Sequence, residues 1–299
     1  MNTWIAVDLG GTNLRTALVN DQGQIIRSVK TETQAKQGVT HVLCRMADAI
    51  RTLPGWEEAR GIGMGVPGGV SKDGETTVLT SNLVGFEGFP VRSYLNGLTG
   101  KPVAMENDAN MACFAEALLG AGKGMETVVY VTLSTGIGGG ICVGGRLLRG
   151  AHGCSGEFGC ISCDPGRERL GDLPPGAIES EASGEALVRK AEASLHAAFS
   201  HAGEVYALAD SGNPTAVALV DRAARDLAVT LSNVACVVDP DIFVLGGGCL
   251  ESADILLPRL TSFYRDFAQP VFRDIPIRRG CLDEPGLIGA ALYAGSVLL

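Results

Sequence analysis

The order strand, glycine turn, strand occurs twice in this chain, and nothing else in the sequence limits the fold as much. Residues 4–7 read as a short buried strand that Asp8-Leu9-Gly10-Gly11-Thr12-Asn13 breaks. Residues 14–19 follow as a second strand, and Asn20-Asp21-Gln22-Gly23 turns the chain into a third, 24–29. The same order returns at 128–133, at the turn Ser134-Thr135-Gly136-Ile137-Gly138-Gly139-Gly140, at 141–143, and after Gly144-Gly145 at Arg146-Leu147-Leu148. Two such units, each followed by helical spacing, predict a duplicated α/β fold with two similar lobes. The alternative is a pair of unrelated glycine-rich hairpins, a common local motif.

Between the units, Val39, Val42, Leu43, Met46, Ile50 and Leu53 recur at helical spacing up to Pro54-Gly55. Residues 62–66 form a strand that stops at Pro67-Gly68-Gly69. Val103-Ala104-Met105 leads into Glu106-Asn107-Asp108-Ala109-Asn110, and 111–119 looks helical. Further helices are expected at 183–195, from the cap and proline Asn213-Pro214 towards Val234, at 255–267 and at 286–292. A buried strand at 242–245 ends in Gly246-Gly247-Gly248, and 150–176 is the least regular stretch.

Composition narrows the partners. Hydrophobic residues make 46% of the chain and charged ones 19%, which excludes a disordered polyelectrolyte. The net charge is −9, with no stripe of Lys and Arg to match a phosphate backbone, so nucleic acid is not an expected partner. The first residues lack a basic leader, and no window offers the ~18 apolar residues of a membrane span, so a cytoplasmic protein without membrane contact is expected. Nine cysteines, an odd number spread among apolar neighbours, read as reduced thiols.

Asp8 at a strand end before Gly-Gly-Thr can hold a hydrated Mg²⁺, while Gly10 and Gly11 admit anionic oxygens to backbone N–H groups and Thr12 adds a hydroxyl. The loop 134–140 is a second cradle of this kind. Neither is a Walker A loop, and each alone could equally be a tight turn. As a pair, facing one another across a cleft, they could hold one nucleotide's phosphates from both sides, with 246–248 leaving room for base or ribose. Asp108 sits where a strand gives way to a helix. It can accept a proton from an attacking hydroxyl, or cap the helix, and the two roles are compatible.

Asp8-Leu9-Gly10-Gly11-Thr12-Asn13, Gly65-Val66-Pro67-Gly68, Glu106-Asn107-Asp108-Ala109-Asn110, the loop 134–140, Gly156-Glu157-Phe158-Gly159 and Leu245-Gly246-Gly247-Gly248 stand in the order found in the ROK family of sugar kinases and repressors. The chain resembles that family over nearly its whole length. The resemblance implies a two-lobed actin-like ATPase fold, of the duplicated ribonuclease H-like kind, with an interlobe cleft. Residues 1–106 with 286–299 would form the N-terminal lobe and 107–285 the C-terminal lobe. It implies transfer of the γ-phosphate of ATP to a hexose, usually its 6-hydroxyl, with Mg²⁺ required, by a cytoplasmic homodimer. Asp108 would be the catalytic base. Gly68, Gly69, Asn82, Asn107, Glu157 and Glu179 would bind sugar. Asp8, Gly10, Gly11, Thr12, Asn13, Thr135 and Gly136 would lie at the phosphates, and Gly247 and Gly248 at the adenosine.

The chain departs from the family at one place. Where many members carry His after Gly-Glu-x-Gly and then a zinc-binding cysteine run, this chain has Cys160, Cys163-Asp164-Pro165-Gly166 and Pro174-Pro175-Gly176. No zinc is expected; the alternative is a variant site of His152, Cys154, Cys160 and Cys163. The loop before Glu179 would then be held by proline packing or a partner subunit. Glucose is the modal sugar for the resemblance, with fructose, mannose, allose and N-acetylated hexosamines as alternatives. A sugar-responsive regulator or retired sensor is the competing class, disfavoured by the few residues ahead of Asp8, the acidic balance and the intact Asp8 and Asp108.

Overall fold

A computed structural model describes residues 2–80 and 83–299. Packing groups Met1–Gly124, Gly140–Gly156 and Cys281–Leu299 into one unit, and Met125–Gly139 with Glu157–Gly280 into another.

In the first unit, β1 (Thr3–Leu9), β2 (Asn13–Asn20) and β3 (Ile25–Glu32) form an antiparallel meander. Helix α1 (Val39–Arg51) leads to β4 (Ile62–Val66), which pairs parallel with β1. A small hairpin, β5 (Gly69–Val70) and β6 (Thr77–Val78), and helix α2 (Val91–Thr99) precede β7 (Val103–Asn107), parallel to β4, and helix α3 (Asp108–Leu118). The sheet order is β3-β2-β1-β4-β7.

Residues 4–7 of β1 are apolar without interruption because both faces of the strand are covered there. Ile5 and Val7 join the core that α1 closes with Val42, Leu43, Met46 and Ile50. Trp4 and Ala6, one residue out of phase, join a second core with Ala290, Ala291 and Ala294 of the C-terminal helix. That helix lies very close to its neighbours. A Cβ on Gly63 would fall 1.8 Å from Ala290 O, and one on Gly289 1.8 Å from Met111 O. Only glycine fits at either contact.

A second five-stranded sheet repeats the plan: β8 (Thr127–Leu133), β9 (Ile137–Val143), β10 (Arg146–Leu147), β11 (Ile242–Gly246) and β12 (Ile277–Arg279), in the order β10-β9-β8-β11-β12. Again the central pairings are parallel, β8 with β11 and β11 with β12. The two sheets share one connectivity, so the fold is the duplicated α/β arrangement expected. Helices α4 (Ile178–Ala182), α5 (Gly184–Leu195), α6 (Ala202–Asp210), α7 (Pro214–Val238) and α8 (Ala253–Phe267) lie in the second unit, and α9 (Pro285–Leu298) ends the chain.

Asn213 caps α7 by accepting from the Thr215 and Ala216 N–H groups, both at 3.1 Å, ahead of Pro214 at the first position. The helix expected at 183–195 is α5 with Ser183 as its cap, preceded by the separate short α4. Helix α3 starts at Asp108, three residues ahead of the expected position, and groups with the first unit, not at the head of the second.

Candidate active site

The first unit's candidate residues stand in a row at the carboxyl ends of parallel strands. Asp8 of β1 is opposite Gly65 of β4, Gly65 is opposite Glu106 of β7, and Val66 is opposite Asn107. Open α/β sheets bind ligands at this edge. Asp108 comes next, as the first residue of α3. A Cβ on Gly65 would lie 3.5 Å from Asp108 Cα, so the helix start rests directly over the end of β4.

Asp108 does not cap α3, which corrects one of its two expected roles. Asn107 is the cap: its Oδ1 accepts from the Asn110 N–H at 3.0 Å, and its Nδ2 donates to Gly68 O at 3.0 Å. The half-buried Asp108 carboxyl instead accepts from the Ala109 N–H at 2.7 Å. Asn107 therefore steadies the Gly68-Gly69 segment. Gly68 has φ +85°, and a Cβ there would fall 2.1 Å from Leu79 O; one on Gly69 would fall 2.6 Å from Cys154 Sγ. Asn82, expected beside them, lies outside the described residues.

Glu106 is fully buried, and its charge is answered on every side. Arg149 Nε donates to Oε2 at 2.5 Å, while Oε1 takes the Asn107 N–H at 2.9 Å and Asn110 Nδ2 at 3.1 Å. The Tyr293 hydroxyl also bonds to Glu106; burial first, then this carboxylate, push the phenol's pKa up. Arg149 reaches on to Ser71 O at 3.0 Å and Lys72 O at 3.1 Å, so one guanidinium joins the β7–α3 junction to the β5–β6 hairpin.

The turn after β1 closes on itself. The Gly10 N–H donates to Asn13 O at 2.9 Å, and Thr33 holds the turn from behind, Oγ1 to Gly10 O at 2.6 Å and N–H to Thr12 O at 2.9 Å. Gly11 and Thr12 are exposed and Asn13 is half-buried. Gly10 does not use a positive φ, although a Cβ there would crowd Asn13 O at 3.2 Å. Burial raises the Asp8 carboxyl above its ordinary value; Arg15 opposes this and Glu284 adds to it. Arg15 and Glu284 are themselves paired at 2.6 Å. Asp8, half-buried at the carboxyl end of β1 ahead of the glycine turn, offers the oxygen ligands a hard cation takes, so it fits a role at Mg²⁺.

In the second unit, the turn after β8 presents Ser134 and Thr135 to solvent. The Gly184 N–H at the start of α5 donates to Ser134 O at 2.7 Å. Glu179 Oε2 accepts from the Ile137 N–H at 2.8 Å. A Cβ on Gly136 would fall 2.6 Å from that same oxygen, so glycine is what lets the acid approach. Partial desolvation and then the Glu179 charge raise the Glu157 pKa. The Cys160 thiol is raised by desolvation and then by the charges of both acids, and a Cβ on Gly159, in the segment between Glu157 and Cys160, would fall 3.1 Å from Glu179 Oε2. Gly247 has φ +89° and would meet Leu133 O at 2.4 Å with a Cβ, whereas Gly248 has open space around it.

Thus Asp8, Asn107, Asp108, Gly68 and Gly69 converge in the first unit, and Gly136, Glu157 and Glu179 in the second. Sequence reasoning passed over Arg15, Arg149, Tyr293 and Arg167. A buried Glu106 implies a cationic partner, but among 24 Lys and Arg residues nothing in the string singles out Arg149. Among the described residues, no group of three or more His, Cys, Asp or Glu could hold a metal ion. No described helix is long and apolar enough to cross a membrane.

Comparison with known proteins decides the family, because the ROK family model matches residues 4–296. The chain belongs to the ROK family. Among its relatives, a glucokinase of Thermotoga maritima is 30% identical, over 96% of this chain and 95% of the relative. An N-acetylmannosamine kinase of Vibrio cholerae is 31% identical, over 96% and 97%. A ROK hexokinase structure from Thermus thermophilus superposes with TM-score 0.88 at 34% identity, covering 99% of each chain. A ROK glucokinase from Streptomyces griseus, solved with glucose and AMPPNP, gives TM-score 0.82 at 28% identity over 97% and 98%.

Proposed function

We propose that this ROK protein transfers the γ-phosphate of ATP to a hexose hydroxyl, with Asp108 as general base. The observation that carries the reading is the placement of Asp108: a half-buried carboxyl at the carboxyl ends of the parallel strands β4 and β7, oriented by the Ala109 N–H and adjoining an asparagine that grips Gly68. As the sugar oxygen attacks the γ-phosphorus, Asp108 takes its proton; the new O–P bond forms while the bond to the bridging oxygen breaks, and ADP leaves. Gly11, Thr12, Thr135 and Gly136 offer backbone N–H groups and hydroxyls to the phosphates, and Gly247 with Gly248 the space for adenosine. Mg²⁺, held through Asp8, would neutralise phosphate charge.

Glu157 and Glu179 accept hydrogen bonds from ring hydroxyls, which need charge-assisted acceptors once out of water. Glucose, phosphorylated at its 6-hydroxyl, is the first sugar to try, followed by N-acetylmannosamine, mannose, fructose and allose. A coupled ADP-release assay across that panel should give turnover with at least one hexose, and none with any would defeat the proposal. The family resemblance extends the reading to a cytoplasmic homodimer, whose assembly sedimentation in solution would test.

A further inference from the structure

Helix α4 is five residues long, and a single turn has no stability of its own in water. It nevertheless carries Glu179, so whatever fixes α4 also fixes that carboxylate. Two anchors come from α5: Arg189 donates to Ser180 O at 2.7 Å, and Lys190 to Glu181 O at 2.7 Å and to Glu181 Oε2 at 2.6 Å. The third comes from the irregular stretch ahead of α4. Arg167 donates to Glu181 Oε2 at 2.7 Å and grips Asp226 of α7 with two nitrogens, at 2.6 and 2.9 Å.

These acids are deeply set, the side chain of Asp226 being 6% exposed and that of Glu181 9%. Burial alone would raise Glu181, but Lys190 and Arg167 outweigh it and hold the carboxyl below its ordinary value. A planar guanidinium can serve two carboxylates at fixed angles, which an ammonium cannot. Arg167 is also held from its own segment. Its N–H donates to Asp164 O at 3.1 Å and its Nε to Asp164 Oδ2 at 3.2 Å. The segment is closed at its base by Cys163 N–H to Gly176 O at 2.9 Å and Ile178 N–H to Ile161 O at 2.8 Å.

We infer that Arg167 is a positioning residue: by tying residues 161–176 to α7 and α4 it sets Glu179, and through the Glu179–Ile137 hydrogen bond it sets one anchor of the second glycine turn. Its effect on sugar binding rests on Glu179 being a sugar ligand, as proposed above. Its effect on the Ile137 amide does not. The turn keeps two other supports, from Gly184 N–H to Ser134 O and Glu185 N–H to Thr135 O, so the ATP side should respond less than the sugar side.

Arg167→Ala alone would leave the Asp226 carboxylate buried and unpaired and could unfold the chain. The test therefore uses Arg167→Ala/Asp226→Asn and, separately, Arg167→Lys, both in the full chain. Expected results are cooperative melting in both, a rise in hexose KM of about tenfold in the double variant and a smaller rise with lysine, with ATP KM changed less than about twofold. Amide exchange at Ile137 should quicken in both without any sugar present. A merely structural role would lower the melting temperature and the active fraction but leave hexose KM alone. Wild-type hexose KM with unchanged Ile137 exchange in the folded variants would overturn the inference. If the wild-type chain turns over no hexose, the kinase reading fails, and the exchange measurement still decides the role of Arg167.

Discussion

The two units treat the carboxylates at the ends of their sheets in opposite ways. In the first, Glu106 is buried among Arg149, Asn110 and Tyr293, each giving it a hydrogen bond. In the second, Glu157 lies close enough to Glu179 to be raised by its charge, and among the described residues neither acid enters an ion pair. A compensated charge inside a fold is scaffold, whereas like charges kept together are a capacity for a ligand that supplies donors. Substitutions should therefore have opposite signs in the two places: loss of a partner weakens the first, and loss of a charge relaxes the second.

The largest effect separates both from the chemistry. Asp108→Asn should lower kcat by about 10³-fold, within the span of general-base catalysis, while melting and hexose KM stay near wild type. Retained turnover would remove Asp108 from the mechanism and leave the compensated half of the comparison without a reactive group. Next in size is Arg149→Met, which strands the Glu106 carboxylate. Breaking such a buried pair from one side costs ~3–5 kcal/mol, and the 26% exposure of Arg149 puts the expectation at the low end, read by urea denaturation. Glu106→Gln added to that variant should recover much of the loss. A stability unchanged by Arg149→Met would mean that Glu106 is not compensated as the geometry says.

How much of this was legible beforehand follows from range. The duplicated meander could be read because alternation and turn chemistry are local, and β1 divides its side chains between two cores as a period of two requires. The place of Asp108 could be read because a strand pattern gives way to a helical one beside it. The cap went to the wrong neighbour because Asn and Asp both cap well, and the helix begins at Asp108, one residue earlier than a cap there requires. Helix α2 went unread: Val91 and Leu95 are buried on one face, but Gly97 interrupts the pattern and Pro90 precedes it. Strand β12 is three residues long, too short for any period. The ion partners were out of reach for another reason. Arg149 lies 43 residues from Glu106 and Arg167 59 from Asp226, and a charge in a string carries no address. The loop before Glu179, expected to rely on proline packing or a partner subunit, has this ion-pair network within the chain.

The smallest effect is the most pointed, because its sign is unusual. Glu157 has a folded-state pKa above its ordinary value, from desolvation and then from Glu179. Between the ordinary value and the raised one, the folded chain holds more protons than the unfolded chain, so stability falls as pH rises through that window. Above the raised value both states are ionised and the penalty is fully present. Below the ordinary carboxylate value both are protonated and it vanishes. Glu157→Gln should thus stabilise the fold near pH 7, by less than about 1 kcal/mol because the residue is at the surface and solvent screens the repulsion. The gain should fade as pH is lowered, while hexose KM rises. Melting temperatures of the two proteins from pH 4 to 8 check this. A variant less stable than wild type at pH 7 would show that Glu157 is compensated after all, and the contrast between the two units would not hold.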